Sequence, residues 1–403
     1  MDKLTGQNNQ MAGDAAMPRD LKVFIWIFRI LGAGHYIREP GSPIAGWFAL
    51  LIYHTVTICL GLFLFIVMIV SALLGQFHAN SFLEMVAPIT FSAYYFWTAL
   101  ISLSTFYLSR RGFMNLQTLR GSKWVNNRNQ GVATTSVLNA KVKMFLYSLV
   151  ACGFCVTLFK TIMEWHFMAG GYIMACYSNG TSENASFTII ENPGKILCLC
   201  FMITIAFDPI VIMVYFTAPV YIIAWSLIYK HHFNVLYQKM NLHSDELKNP
   251  KILRNYRKQF NNLSDSVGDF NASHGYLMAA CLLSLIVQFC LIEYMGVRHD
   301  NYFREYIFVI YTLVCQTFAV LFAFVLGPSQ INGKSKSILG LLRRMDIEKD
   351  EGSTHEVMMF MEEIKEFGGF VVLGFVDLSK ATFLTILGLI LTYFFLLIQF
   401  DSV

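Results

Sequence analysis

The sequence predicts an all-α membrane protein: seven transmembrane helices, the N-terminus cytoplasmic and the C-terminus extracellular. Three observations carry this. Of 403 residues, 56% are hydrophobic and only 14% are charged, against roughly 25% charged in an ordinary soluble domain. So few charges cannot cover a soluble protein of this size, and so much apolar side chain excludes disorder. Second, seven stretches reach the length of about 20 mostly apolar residues that a spanning helix needs; they are 44–74, 86–108, 144–168, 196–229, 275–296, 306–326 and 382–400. Third, the basic residues sort by side. Segments 1–43, 109–143, 230–274 and 327–381 hold 26 of the 30 Lys and Arg, and the segments on the opposite side hold three. Basic loops stay in the cytoplasm.

The chain divides accordingly. Residues 1–43 form a cytoplasmic segment with no cleavable signal core; within it, 21–31 is too short to span and reads as an amphipathic helix on the membrane surface. Residues 44–229 carry the first four spans. The fourth should measure about 51 Å, more than the roughly 30 Å hydrocarbon core, so its C-terminal end is expected to project inward. Pro209 and Pro219 are expected to bend it. In segment 230–274, Leu253, Tyr256, Phe260, Leu263, Val267 and Phe270 recur at spacings of three and four, a helical stripe that should extend the fifth span downward. Residues 275–326 hold the fifth and sixth spans. Segment 327–381 is expected to hold an inner helix, opened by a capping box at Ser353–Glu356 and striped by Val357, Phe360, Met361 and Ile364. Residues 1–20 and 345–354 are polar and expected to be mobile. The inner helices either pack within one subunit or form a subunit interface; periodicity alone leaves both open.

Asn179 and Asn184 open two glycosylation sequons in the largest outer loop, 169–195, whereas a third sequon at Asn271 falls inside and should stay bare. The inward N-terminus is the reverse of a G-protein-coupled receptor, so no G protein is required. A net charge of +4 gives no reason to expect a nucleic-acid partner. Nine cysteines are mostly scattered through apolar spans as small hydrophobes, with one bridge among Cys176, Cys198 and Cys200 left open. No metal-ligand pattern, phosphate loop, nucleophile elbow or supported pair of catalytic carboxylates is present, so neither an enzyme nor a cofactor or metal site is expected.

Charged and polar residues inside spans are expensive and invite a functional reading. Counting 1.5 Å per residue from the outer ends, Lys160 and Gln288 lie about 12 Å down, Gln316 about 15 Å and Asp208 about 18 Å, with Tyr94, Tyr95 and Trp97 in the same layer. Glu164 lies four residues from Lys160. Apolar walls with a few convergent polar groups suit a small-molecule site open to the outside. Plainer readings stand beside it. Lys160 and Glu164 could pair with each other, the tyrosines and tryptophan could be interfacial belt residues, Asp208 could cap the bend at Pro209, and the glutamines could be interhelical glue.

The seventh span, 382–400, is uniformly apolar until Gln399. By composition it is either an ordinary buried helix or a pore-lining helix with a hydrophobic gate. Its end, Thr392-Tyr393-Phe-Phe-Leu-Leu-Ile-Gln399-Phe400, is similar to the TYhhhhhQF signature of the insect gustatory receptors. The inner stretch Leu253–Leu263 also resembles that family's pattern before the fifth span. The resemblance extends over the whole chain through length, seven spans, inward N-terminus and a very short outer tail. Insect odorant receptors share this architecture but usually lack the full signature.

The resemblance implies a tastant-gated, non-selective cation channel in the plasma membrane of a sensory-neuron dendrite. It implies homo- or heterotetramers whose seventh helices line one pore and whose inner helices form an anchor. The partners it implies are membrane lipid and a small-molecule tastant bound in the outer half. Gln399 and Phe400 match the gate positions, and Thr392 and Tyr393 the pore-helix signature. Phe394 stands where one branch of sugar receptors carries Glu, which weighs against that branch; bitter compounds, other sugars, carbon dioxide and internal nutrients stay open. The alternatives are an obligate co-receptor subunit that binds no ligand itself and, on the strength of Lys160 and Asp208 inside the membrane, a small-solute transporter, against which the absence of an internal repeat counts.

Overall fold

A computed structural model describes residues 140–164, 193–297, 307–344 and 351–401, with isolated helical positions between 55 and 66 and between 96 and 101. The amphipathic segment 21–31, the outer-loop sequons at Asn179 and Asn184, and Tyr94, Tyr95 and Cys176 lie outside these residues. So do the side chains of Lys160, Glu164, Cys198, Cys200, Asp208 and Phe400, whose backbones are helical.

Six helices and one hairpin make up the described chain. Helix α1 is Ala140–Glu164 and α2 is Pro193–Leu242. At 50 residues, α2 is about 75 Å long, against the roughly 30 Å of a hydrocarbon core. It is helical through both Pro209 and Pro219. A proline removes one backbone bond, and the turns on either side of it stay helical.

A single 3-10 turn, Glu246–Lys248, plugs the corner with the buried Leu247 and leads to α3, Pro250–Val297. Asn249 caps this helix, its side-chain oxygen accepting the Lys251 N–H at 3.0 Å. Pro250 occupies the first turn, where its missing N–H costs nothing. The whole stripe from Leu253 to Phe270 is buried, and α3 runs unbroken into the fifth span.

Helix α4, Ile307–Arg344, does not stop at the end of the sixth span: it passes through Pro328 and continues to Arg344. Arg343 and Arg344 in its last turn suit the negative end of the helix dipole. Helix α4 thus packs with α3 as well as with the helix that follows it. Helix α5 is Glu351–Glu366, so 351–354 is helix and not mobile chain. Its start also corrects the capping box. Ser353 is already inside the helix, and its hydroxyl donates to the Lys248 carbonyl at 2.8 Å, tying α5 to the α2–α3 corner. A long-range backbone acceptor competes successfully with a local cap because serine hydroxyls serve either.

A hairpin that the sequence reading did not anticipate follows. Strands β1, Val371–Val372, and β2, Val376–Asp377, pair antiparallel with Val372 opposite Val376. Helix α6, Lys380–Asp401, closes the chain, and Ser379 caps it by accepting the Thr382 N–H at 3.2 Å.

Helices α2, α3 and α4 pack on one another; α1 lies against α2 and α4, and both α5 and α6 lie against α3 and α4. Below, Phe233, Phe260, Phe360 and Phe367 pack mostly edge to face with centroids 5.2–5.7 Å apart. Above them Trp225, Tyr229, Phe270 and Phe370 form a second aromatic knot at 5.1–6.0 Å. These rings account for much of the burial that holds three long helices in register. Arg257 on α3 reaches Glu356 at 3.3 Å and Glu363 at 3.9 Å on α5.

Candidate functional site

Helix α6 is the element on which the signature residues sit. Its packed stripe is narrow: Ile386 and Ile390 are buried and Phe383 meets Phe322 of α4 at 5.4 Å. Leu384, Leu389, Leu391, Tyr393, Phe395 and Leu396 are exposed, and so are Thr392 and Gln399. Most of the circumference of an apolar helix is therefore unburied in one chain. Phe400 is placed one residue beyond Gln399 on the same helical end. The Thr392 hydroxyl donates to the Gly388 carbonyl at 2.9 Å, which uses it within the helix.

The polar layer is only partly described. Trp97 is half-buried and packs against the core, its ring 5.4 Å from Phe96. Gln288 of α3 is fully buried. Gln316 of α4 is 4% exposed, and neither atom of its amide has a hydrogen-bond partner. Its nitrogen lies 2.8 Å from where a Cβ on Gly153 would sit, and Phe216 borders the same point. Gln316 is thus brought to the junction of α1, α2 and α4. Lys160 and Glu164 stand one turn apart on α1, and Asp208 stands on α2. Thr317, which the sequence reading passed over, is also fully buried with an unpartnered hydroxyl. Two adjacent buried polar side chains without partners are unusual. Thr317 is invisible in sequence because threonine is ordinary within apolar helices.

Beneath the layer, the hairpin is joined to three helices. Phe370 is buried, its ring 5.9 Å from Tyr229 of α2 and 5.1 Å from Phe270 of α3. The Gly369 carbonyl accepts from the Asn271 amide at 2.8 Å. Asn271 is the inner sequon, and its amide is committed to this contact. Gly369 has φ +72°, and a Cβ there would collide with the Asn332 carboxamide of α4. At the tip Leu373 has φ 52°, a conformation that costs a non-glycine residue about 1–2 kcal/mol. The sequence signals were the Gly368-Gly369 and Leu373-Gly374 pairs, too short to read as a sheet.

On the inner stretch of α2, burial pushes His232 down to about 4, and the neighbouring His231 acts the same way. Lys230 is also lowered by burial and by Lys334. Its ammonium donates to the Gln330 side-chain oxygen.

A sequence profile described as 7tm chemosensory receptor matches residues 21–403. No curated protein matches the chain. Among solved structures, the insect olfactory receptor OR5 from Machilis hrabei in complex with eugenol is similar in fold, with a TM-score of 0.65 at 15% identity. The alignment covers 94% of this chain and 97% of that one. A second structure of the same receptor gives a TM-score of 0.66 at 14% identity with the same coverage. With a profile matching nearly its whole length and a helical fold shared with an insect olfactory receptor, the chain belongs to the 7tm chemosensory receptor family and is a receptor rather than an enzyme.

Proposed function

We propose that the chain is a gustatory receptor: a tastant-gated, non-selective cation channel of the sensory-neuron plasma membrane. In this reading it crosses the membrane seven times with its N-terminus inside, carries glycans at Asn179 and Asn184, and assembles as a homo- or heterotetramer around four copies of α6. The observation that carries the reading is the Thr392–Phe400 signature at the end of a helix most of whose apolar surface is unburied in one chain. Such a helix needs lipid, other subunits or both around it.

With no ligand, Phe400 and its symmetry mates form a dry constriction that excludes ions without any charge. A small molecule from outside binds in the layer containing Tyr94, Tyr95, Trp97, Lys160, Glu164, Asp208, Gln288 and Gln316. The unpartnered Gln316 amide supports this placement, since a ligand could supply the missing hydrogen bonds. A solved relative is recorded with eugenol, a small and largely apolar molecule bearing a hydroxyl. Ligand opens the gate only through its higher affinity for the open form. The α6 outer ends then turn Phe400 off the axis and bring Gln399 toward it.

The test is current recorded from cells expressing this chain alone. Phe400→Ala should raise ligand-free current several-fold. Tightly closed channels in that variant would refute the gate assignment, and a chain that conducts only beside other receptor subunits would favour the co-receptor alternative.

A further inference from the structure

Resting on the channel reading, we infer that the Gly369–Leu378 hairpin is the fixed joint at the base of the pore helix, and that Asn271, Asn332 and Phe370 are its positioning residues.

The hairpin is held at every level. Phe370 is sealed between α2 and α3 by its contacts with Tyr229 and Phe270. Asn271 of α3 donates to the Gly369 carbonyl at 2.8 Å, and Asn332 of α4 donates to the Gly368 carbonyl at 3.4 Å. Only glycine fits at 369, because φ is +72° and the Asn332 carboxamide fills the side-chain position. The Leu378 N–H closes the hairpin base on the Phe370 carbonyl at 2.9 Å. At the tip, the backbone of Leu373 lies 3.4–3.6 Å from the Cβ position of Gly275 on α3.

Helix α6 begins at once. The Thr382 hydroxyl donates to the Asp377 carbonyl at 2.5 Å, so strand β2 and the first turn of α6 are a single bonded unit. A left-handed leucine survives only where its surroundings over-determine it, which fits a joint held from three sides. Along residues 391–396, by contrast, the described side chains of α6 are exposed or half-exposed within one chain. A helix fixed at its base moves its far end only by pivoting about that base, so opening moves the outer gate while 369–382 stays in place.

The test uses the full-length protein. Asn271→Ala and, separately, Asn332→Ala remove one clamp each without changing the hydrophobic packing. In both, amide hydrogen exchange over 380–386 should speed at least tenfold while 253–263 is unchanged. Ligand-free current per surface-expressed receptor should rise at least threefold. Gly275→Cys with Leu373→Cys, added to Asn271→Ala, supplies a replacement clamp. The Cβ position of Gly275 is 3.6 Å from the Leu373 Cα, so the two Cα atoms are within about 5 Å, inside the range a disulfide spans. Oxidation should return both exchange and leak to wild-type values, and reductant should release them, a reversal that mere loss of folded protein would not show. Unchanged exchange over 380–386 in both alanine variants would overturn the joint. So would a leak that oxidation leaves untouched. Faster exchange, restored by oxidation, in a chain whose wild type and variants conduct neither alone nor beside other receptor subunits would support the joint and refute the channel reading instead.

Discussion

The Gln316 amide nitrogen lies 2.8 Å from the point where Gly153 would carry a Cβ, so a glycine on α1 makes the space that a buried polar side chain of α4 occupies. Two substitutions separate packing from recognition. Gly153→Ala forces only the flexible end of the Gln316 side chain aside, and alanine's better helix propensity of about 1 kcal/mol offsets that, so stability should change by less than about 1 kcal/mol. Gln316→Leu removes a polar group that has no partner and should be neutral or stabilising, by up to about 1–3 kcal/mol. Both should weaken activation by hydroxyl-bearing agonists at least tenfold. Melting of the purified receptor and dose–response curves for one agonist check the two effects; an unchanged response in Gln316→Leu would remove that residue from the pocket.

The inner aromatic cluster is where the helices are tied together. Phe260 is fully buried against Phe233, Phe360 and Phe367, which come from α2, α5 and the segment after it. Phe260→Ala should destabilise by about 3–5 kcal/mol, the range for deleting a buried aromatic ring. Phe260→Leu should cost less than half of that. Thermal unfolding in detergent gives the ordering, and equal losses for the two variants would show that ring packing is not what matters there.

Arg257 faces two carboxylates from α5 at unequal distances, Glu356 at 3.3 Å and Glu363 at 3.9 Å. The facing atoms Arg257 Nη1 and Glu356 Oε2 are buried, so losing one partner leaves a shielded charge behind and costs more than the roughly 1 kcal/mol of an exposed pair. Glu356→Gln should therefore lower the melting temperature more than Glu363→Gln, and raising salt should change the difference little, because buried pairs are weakly screened. The reverse ordering would show that distance is not what ranks the two pairs.

Acid should loosen the inner part of α2. His232 is held neutral, its value lowered from 6.5 to about 4 by burial and by His231. The unfolded chain therefore binds a proton that the folded chain refuses between those two values, and stability falls as pH drops through that window. Above 6.5 the residue contributes no pH dependence. Melting temperature should decline from pH 6.5 toward 4, and His232→Gln should flatten the decline. An identical slope in the variant would assign the acid sensitivity elsewhere.

Much of the fold is legible in the sequence because membrane and helix periodicity both act locally. The stripe from Leu253 to Phe270 announces one buried helical face, and that face is buried. The fourth span is too long for a bilayer, and α2 is correspondingly long. The helices run on through Pro209, Pro219 and Pro328, since a proline removes only one backbone bond. One cap is misread. Ser353 looks like a cap, yet its hydroxyl finds Lys248, 105 positions away.

By itself the sequence determined the class of protein, its apolar helices and the signature on the last of them, since these depend on composition and on residues a few positions apart. Only the tertiary structure decided that Gln316 sits unpartnered over Gly153, and that Asn271 and Asn332 clamp the hairpin beneath α6. Those relationships join residues from tens to more than a hundred and fifty positions apart. No local pattern encodes them, because they come into being only when the long helices pack.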